Sequence, residues 1–113
     1  MFFFKKEYTN EDDGSKAEQH LSSAVELLKS LSNVRRLTVV CILHNEGEKT
    51  VGELEKIVGL SQSALSQHLA RLRKDGLVTT RRDAQAIYYR ISNPAADKLL
   101  ECLHGIYCCE RDH

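Results

Sequence analysis

Hydrophobic positions along the chain first fall into a helical rhythm. Leu21, Ala24, Leu28 and Leu31 recur at steps of three and four, the stripe of an amphipathic helix. Ser32-Asn33 interrupts the stripe, and either residue suits an N-cap because its side-chain oxygen accepts from an unpaired helical N–H. In the helix that follows, Val34, Leu37, Cys41 and His44 share one face, expected to point inward, and Asn45-Glu46-Gly47 ends it. Thr50-Val51-Gly52-Glu53 then has the spacing of a capping box and opens a short helix expected to turn Leu54, Ile57 and Val58 inward, up to Gly59. Ser61 restarts the chain as an N-cap, and Leu65, Leu69 and Leu72 form a narrow stripe ending at Asp75-Gly76. Two short helices joined by a tight glycine-containing turn form a helix-turn-helix.

Beyond Gly76 the period shortens. Leu77–Thr80 and Ala86–Ile91 are rich in β-branched and aromatic residues, and Arg81-Arg82-Asp83-Ala84-Gln85 between them predicts a hairpin with a charged tip. Asn93-Pro94 places an N-cap before proline at the first helical position, and Leu99, Leu100, Leu103, Ile106 and Tyr107 supply the apolar face of a last helix. The expected fold is therefore mainly α with a small β-hairpin wing, a winged helix-turn-helix over residues 16–113. Residues 1–15 read as a disordered tail.

The length of 113 residues fits one domain. No apolar run approaches the ~20 residues that span a bilayer, and MFFFKKEY lacks the order of charges and the cleavage site of a secretory signal. A cytoplasmic protein is expected, with no membrane partner. The net charge of zero conceals an uneven distribution: residues 61–90 carry six basic side chains and two acidic ones, while both ends are acidic. A local basic face matters more to a nucleic-acid partner than the sum does.

With Leu65, Leu69 and Leu72 toward the core, Ser63, Ser66, Gln67, Ala70 and Lys74 are left to the solvent side of their helix. Short side chains let a helix enter the major groove, and glutamine can pair with adenine through two hydrogen bonds. Arg71, Arg73 and Lys74 are placed to reach phosphates, with Arg81 and Arg82 reaching the backbone or minor groove from the wing. His68, at the edge of the stripe, is expected to pack beside the turn. No base or oxyanion arrangement accompanies the thiols, so the chain is not expected to be an enzyme.

The stretches LSNVRRLTVVCIL and VGELEKIVGLSQSALSQHLARLRKDGLVTTRRDAQAIYYRIS resemble the ArsR/SmtB family of winged-helix repressors. The resemblance covers about residues 20–108. It implies a homodimer built through the first and last helices and a partner in double-stranded operator DNA. By the same likeness Gln62, Ser63, Ser66 and Gln67 lie on the recognition helix.

Four cysteines, Cys41, Cys102, Cys108 and Cys109, show no CxxC spacing and read as reduced thiols. Cys102 reads as a small buried hydrophobe. The family's cysteine-bearing metal motif is missing from VGELEKIVG, and its D-x-H and H-x-x-E pattern is not reproduced around Asp97 and His104. No metal or other cofactor is expected, although His104, Cys108, Cys109 and His113 offer zinc an irregular alternative. Cys41 together with a cysteine directly after Tyr107 resembles the BigR/SqrR branch, and is similar to the HlyU regulators. That likeness implies a repressor sensing low-molecular-weight persulfides, with Cys41 and Cys108 linked through extra sulfur atoms. Helical period alone favours Cys109 as the inward partner, so both stay open. A metal- or general redox-responsive repressor and an HlyU-like anti-silencing activator are the alternatives. Because an apolar site raises a thiol's pKa, a positive neighbour (Arg36, His44 or His104) would be needed to compensate.

Overall fold

A computed structural model describes residues 14–108. Five helices and three strands follow in the order α1 (Gly14–Leu31), α2 (Val34–Glu46), β1 (Lys49–Thr50), α3 (Val51–Val58), α4 (Gln62–Lys74), β2 (Val78–Asp83), β3 (Ala86–Ile91) and α5 (Pro94–Tyr107). The amino-terminal segment read as a tail lies outside the described residues, except that α1 already begins at Gly14.

The caps form where the sequence places them. Asn33 accepts from the Arg36 N–H at 3.0 Å and starts α2. Thr50 and Glu53 make both halves of the capping box on α3. Ser61 accepts from the Ala64 N–H at 3.2 Å and starts α4, and Asn93 caps α5 ahead of Pro94. Between α3 and α4 the chain reverses at Gly59, whose φ of 74° is open to glycine at no steric cost.

The core joins Leu54 of α3 and Leu65, Leu69 and Leu72 of α4 to Val39, Val40 and Leu43 of α2, closed by Leu77, Val78, Ala96 and Leu100. Two inward assignments are corrected. Ile57 is exposed, because α3 turns Leu54 into the core and rests Val51 and Val58 against it, leaving Ile57 on the outer side. Val34, at the very start of α2, is also exposed. Val39, Val40 and Leu43 of α2 fill the core, while Leu37 and Cys41 are half-buried against it and, with His44, also line a cleft toward α5. Apolar residues surround most of α2, so a single stripe describes only half of what it packs against.

The wing also differs from the expected hairpin. β2 runs on through Arg81, Arg82 and Asp83, which pair with Tyr88, Ile87 and Ala86, so only Ala84-Gln85 forms the turn. Ala84 takes φ 57°, the left-handed region, as the first residue of a two-residue hairpin turn must. A third strand, β1, pairs antiparallel with β3 (Lys49 with Tyr89, Thr50 with Tyr88) and makes β3 the central strand. Among the described residues no helix is long and apolar enough to cross a membrane.

Candidate functional site

Burying Leu65, Leu69 and Leu72 fixes the rotation of α4. Gln62, Ser63, Ser66, Gln67, Ala70 and Lys74 are all exposed on its other side, behind the Ser61 cap. His68 is half-buried at the edge, and burial, with Arg36 and Arg35 adding their charge, pushes its pKa below the ordinary range. It is therefore neutral at pH 7. Arg71, expected to reach phosphate, donates from Nε to Asp75 at 2.7 Å one turn on.

On the wing, Arg82 is exposed and paired in register with Ile87. Arg81 is engaged within the protein. Its Nε donates to the two oxygens of Glu48 at 3.0 and 2.9 Å, and its guanidinium carbon lies 4.6 Å from the centre of the Tyr88 ring. The hydrogen bond from Arg81 holds the Glu48 carboxyl below the usual carboxylate range.

The thiols meet between α2 and α5. Leu37, Cys41, His44 and Asn45 from one side and Leu100, Leu103, His104, Tyr107 and Cys108 from the other line a cleft of about 260 Å3. Cys41 and Cys108 are both free and half-buried. α5 stops at Tyr107 and Cys108 is its C-cap, so helical period does not govern where that side chain points. Cys109 and His113 lie outside the described residues. Cys102 corrects the sequence reading: it is exposed on α5, not buried.

Burial, with the neighbouring Cys108 adding to it, pushes the Cys41 thiol up. Of the three compensating groups considered from sequence, His104 lines the cleft with the thiols, while Arg36 and His44 are committed elsewhere. Arg36 donates from Nε to the Ser30 carbonyl at 2.7 Å and closes the end of α1. His44 lies between two carboxylates of α5, with Nδ1 2.7 Å from Asp97 Oδ1 and Nε2 3.1 Å from Glu101 Oε1. Both contacts are hydrogen bonds only when the ring is an imidazolium donating from each nitrogen. The Asp97 bond, outweighing the opposing effect of burial and aided by Glu101, raises the His44 pKa. One signal for this clasp is present in the sequence, two carboxylates four residues apart on one face of α5, but nothing local aims them at His44.

This clasp makes stability depend on pH. Its contribution is fully present below the unfolded histidine value of about 6.5 and disappears as pH rises through the higher folded value. Asp97 and Glu101 are 57% and 77% exposed, so solvent limits the effect to about 1 kcal/mol or less. His44→Gln should therefore lower the melting temperature most at acid pH and converge on wild type at alkaline pH. A pH-independent difference in thermal melts would mean that His44 only packs.

Among the described residues, no group of three His, Cys, Asp or Glu side chains is arranged to hold a metal ion.

Residues 33–80 match the family model described as bacterial regulatory protein, arsR family. The Vibrio cholerae protein named transcriptional activator HlyU is 50% identical over 91 residues, covering 80% of this chain and 83% of that protein. A Xylella fastidiosa protein named biofilm growth-associated repressor is 43% identical over 93 residues, covering 82% and 81%. The solved structure of reduced HlyU from Vibrio cholerae superposes with a TM-score of 0.78 at 48% identity, covering 82% of this chain and 97% of that one.

Proposed function

This chain belongs to the ArsR family of bacterial regulatory proteins, transcriptional regulators rather than enzymes, and we propose that it is a homodimeric repressor of operator DNA released by persulfide. The observation that carries the sensing is the placement of Cys41 and Cys108 on facing walls of one apolar cleft. DNA reading rests on the polar outer face of α4, where Gln62, Ser63, Ser66 and Gln67 meet base edges and Lys74 and Arg82 meet the backbone.

The chemistry closes without an outside oxidant. The thiolate of Cys41 attacks the outer sulfur of a hydropersulfide, its S–S bond breaks, and the donor leaves as a thiol. Cys108 reacts in the same way with a second donor. The terminal sulfur of one protein persulfide then attacks the inner sulfur of the other, expelling hydrosulfide and leaving a trisulfide. The cysteine sulfurs are oxidised and one donor sulfur leaves reduced. Each further sulfur in the bridge takes one more donor. A plain disulfide needs Cα atoms within ~7 Å, a limit that a polysulfide relaxes.

Intact mass and peptide mapping test this after treating the reduced protein with glutathione persulfide, glutathione disulfide or peroxide. A Cys41–Cys108 crosslink carrying added sulfur, formed only with persulfide, is the expected result. Unmodified thiols, or equal crosslinking by every oxidant, would overturn the sensing. A bridge from Cys41 to Cys109 would keep the mechanism and move its partner by one residue.

A second reading, activation by displacing a silencing protein, is favoured by the name of the Vibrio cholerae relative. A reporter driven by the regulated promoter separates the two, since deletion of a repressor raises its output and deletion of an activator lowers it.

A further inference from the structure

Glu48 sits between Gly47, which stops α2, and β1. Arg81 and Thr50 both face Tyr88 from opposite sides of β3. Side chains two apart share a face of a sheet, so Glu48, Arg81, Tyr88 and Arg90 fall together. There Arg81 donates to Glu48 from Nε at 2.9 and 3.0 Å, and its Nη2 lies 2.8 Å from the same carboxylate. Asp83 stands 3.8 Å from the remaining nitrogen, and Arg90 reaches toward Glu48 at 3.9 Å.

This is the forked geometry in which arginine ordinarily grips a phosphate, with a carboxylate in the phosphate's place. Arg81 and Glu48 keep 48% and 29% of their side-chain surface exposed. A pair so open contributes little to stability and exchanges partners readily. It does, however, cancel the charge of one of the two adjacent arginines on β2 of the wing.

We propose that Glu48 is a charge mask on the wing, positioning and neutralising Arg81 so that a DNA phosphate must displace the carboxylate before Arg81 contributes. The proposal rests on the DNA-binding reading and deepens it by naming a residue that limits affinity. Sequence singles out Arg81 but not its pairing with Glu48, because the partners are 33 residues apart and meet only through the register of β1 and β2 on β3.

The test is fluorescence anisotropy of the full chain with a labelled duplex of mixed sequence, titrated across salt. Glu48→Gln keeps the shape and removes the charge. It should bind more tightly, with a slope of log K against log salt steeper by about 0.9, so its gain should be about threefold larger at about 50 mM than at about 200 mM salt. Arg81→Ala alone should leave the slope nearly unchanged, because a masked arginine releases no counterion. In the double variant most of the Glu48→Gln gain should vanish. Equal binding and slope for Glu48→Gln, a gain that persists in full without Arg81, or a slope lowered by about 0.9 in Arg81→Ala would each overturn the mask. A wild-type chain with no salt-dependent DNA binding would overturn the DNA-binding reading itself.

Discussion

Cys108→Ser protein should bind operator DNA within about twofold of wild type when reduced, as substitutions away from the contact surface generally do. It should then stay bound in persulfide. Wild type should lose about 5- to 150-fold in affinity under the same treatment, the range of coupling between distant sites in one protein. Cys41→Ser should behave like Cys108→Ser, because either thiol alone takes up a sulfur atom but cannot close a bridge. Cys102, exposed on α5 and absent from the cleft lining, serves as the control: Cys102→Ser should respond like wild type. Release of both single variants to the same extent as wild type would remove the bridge from the mechanism. Loss of the response only in Cys109→Ser would assign the partner to the other member of the doublet.

The raised pKa of Cys41 adds a kinetic condition to that result. Thiolate is the attacking form, and burial keeps most of Cys41 protonated at neutral pH. His44 lies one turn away on α2, but Asp97 and Glu101 balance its charge. The cleft therefore places the two thiols together without strongly activating the buried one. Such a site favours a reagent small enough to enter and reactive enough to need little help.

How far the sequence reveals these features depends on how locally each is determined. The rotation of α4 is legible because three leucines and a serine cap fix it within thirteen residues. The caps of α2, α3 and α5 were legible for the same reason, since each is decided by side chains within three residues of the helix start. The full length of β2 is not legible, because Arg81, Arg82 and Asp83 are polar and only pairing with β3 keeps them in a strand. β1 is two residues long, too short for any alternation to register. The double use of α2 was hidden because residues on both of its faces are apolar, one set serving the core and the other the cleft. The ion pairs of His44 and Arg81 join residues more than thirty positions apart and follow from tertiary register alone.

Leu28→Asp is expected to give the largest loss of DNA binding, through assembly rather than contact. Val25, Leu28, Ile106 and Tyr107 on α1 and α5 are 48%, 55%, 61% and 69% exposed in the single chain. Leu28 also borders a groove of about 320 Å3 with Leu31, Leu37, Leu99 and Leu103. Apolar surface of this extent on the outer faces of two helices fits an interface with a second copy, for which a stable dimer buries about 1,200–2,000 Å2. A carboxylate at Leu28 would be taken out of water with no partner. The variant should sediment as a monomer, keep its helical circular dichroism and lose about 100- to 10,000-fold in affinity for a two-half-site operator, because the second half-site no longer adds avidity. Affinity for an isolated half-site should barely change. A wild-type chain that sediments as a monomer, or a Leu28→Asp chain that stays dimeric, would refute the interface. Leu37 and Leu103 line both this groove and the thiol cleft, so a sulfur bridge that shifts α5 against α2 moves the wall of the interface. Under the proposed mechanism, persulfide would then loosen DNA by turning the two copies of α4 out of register with adjacent grooves, without touching the surface that reads them.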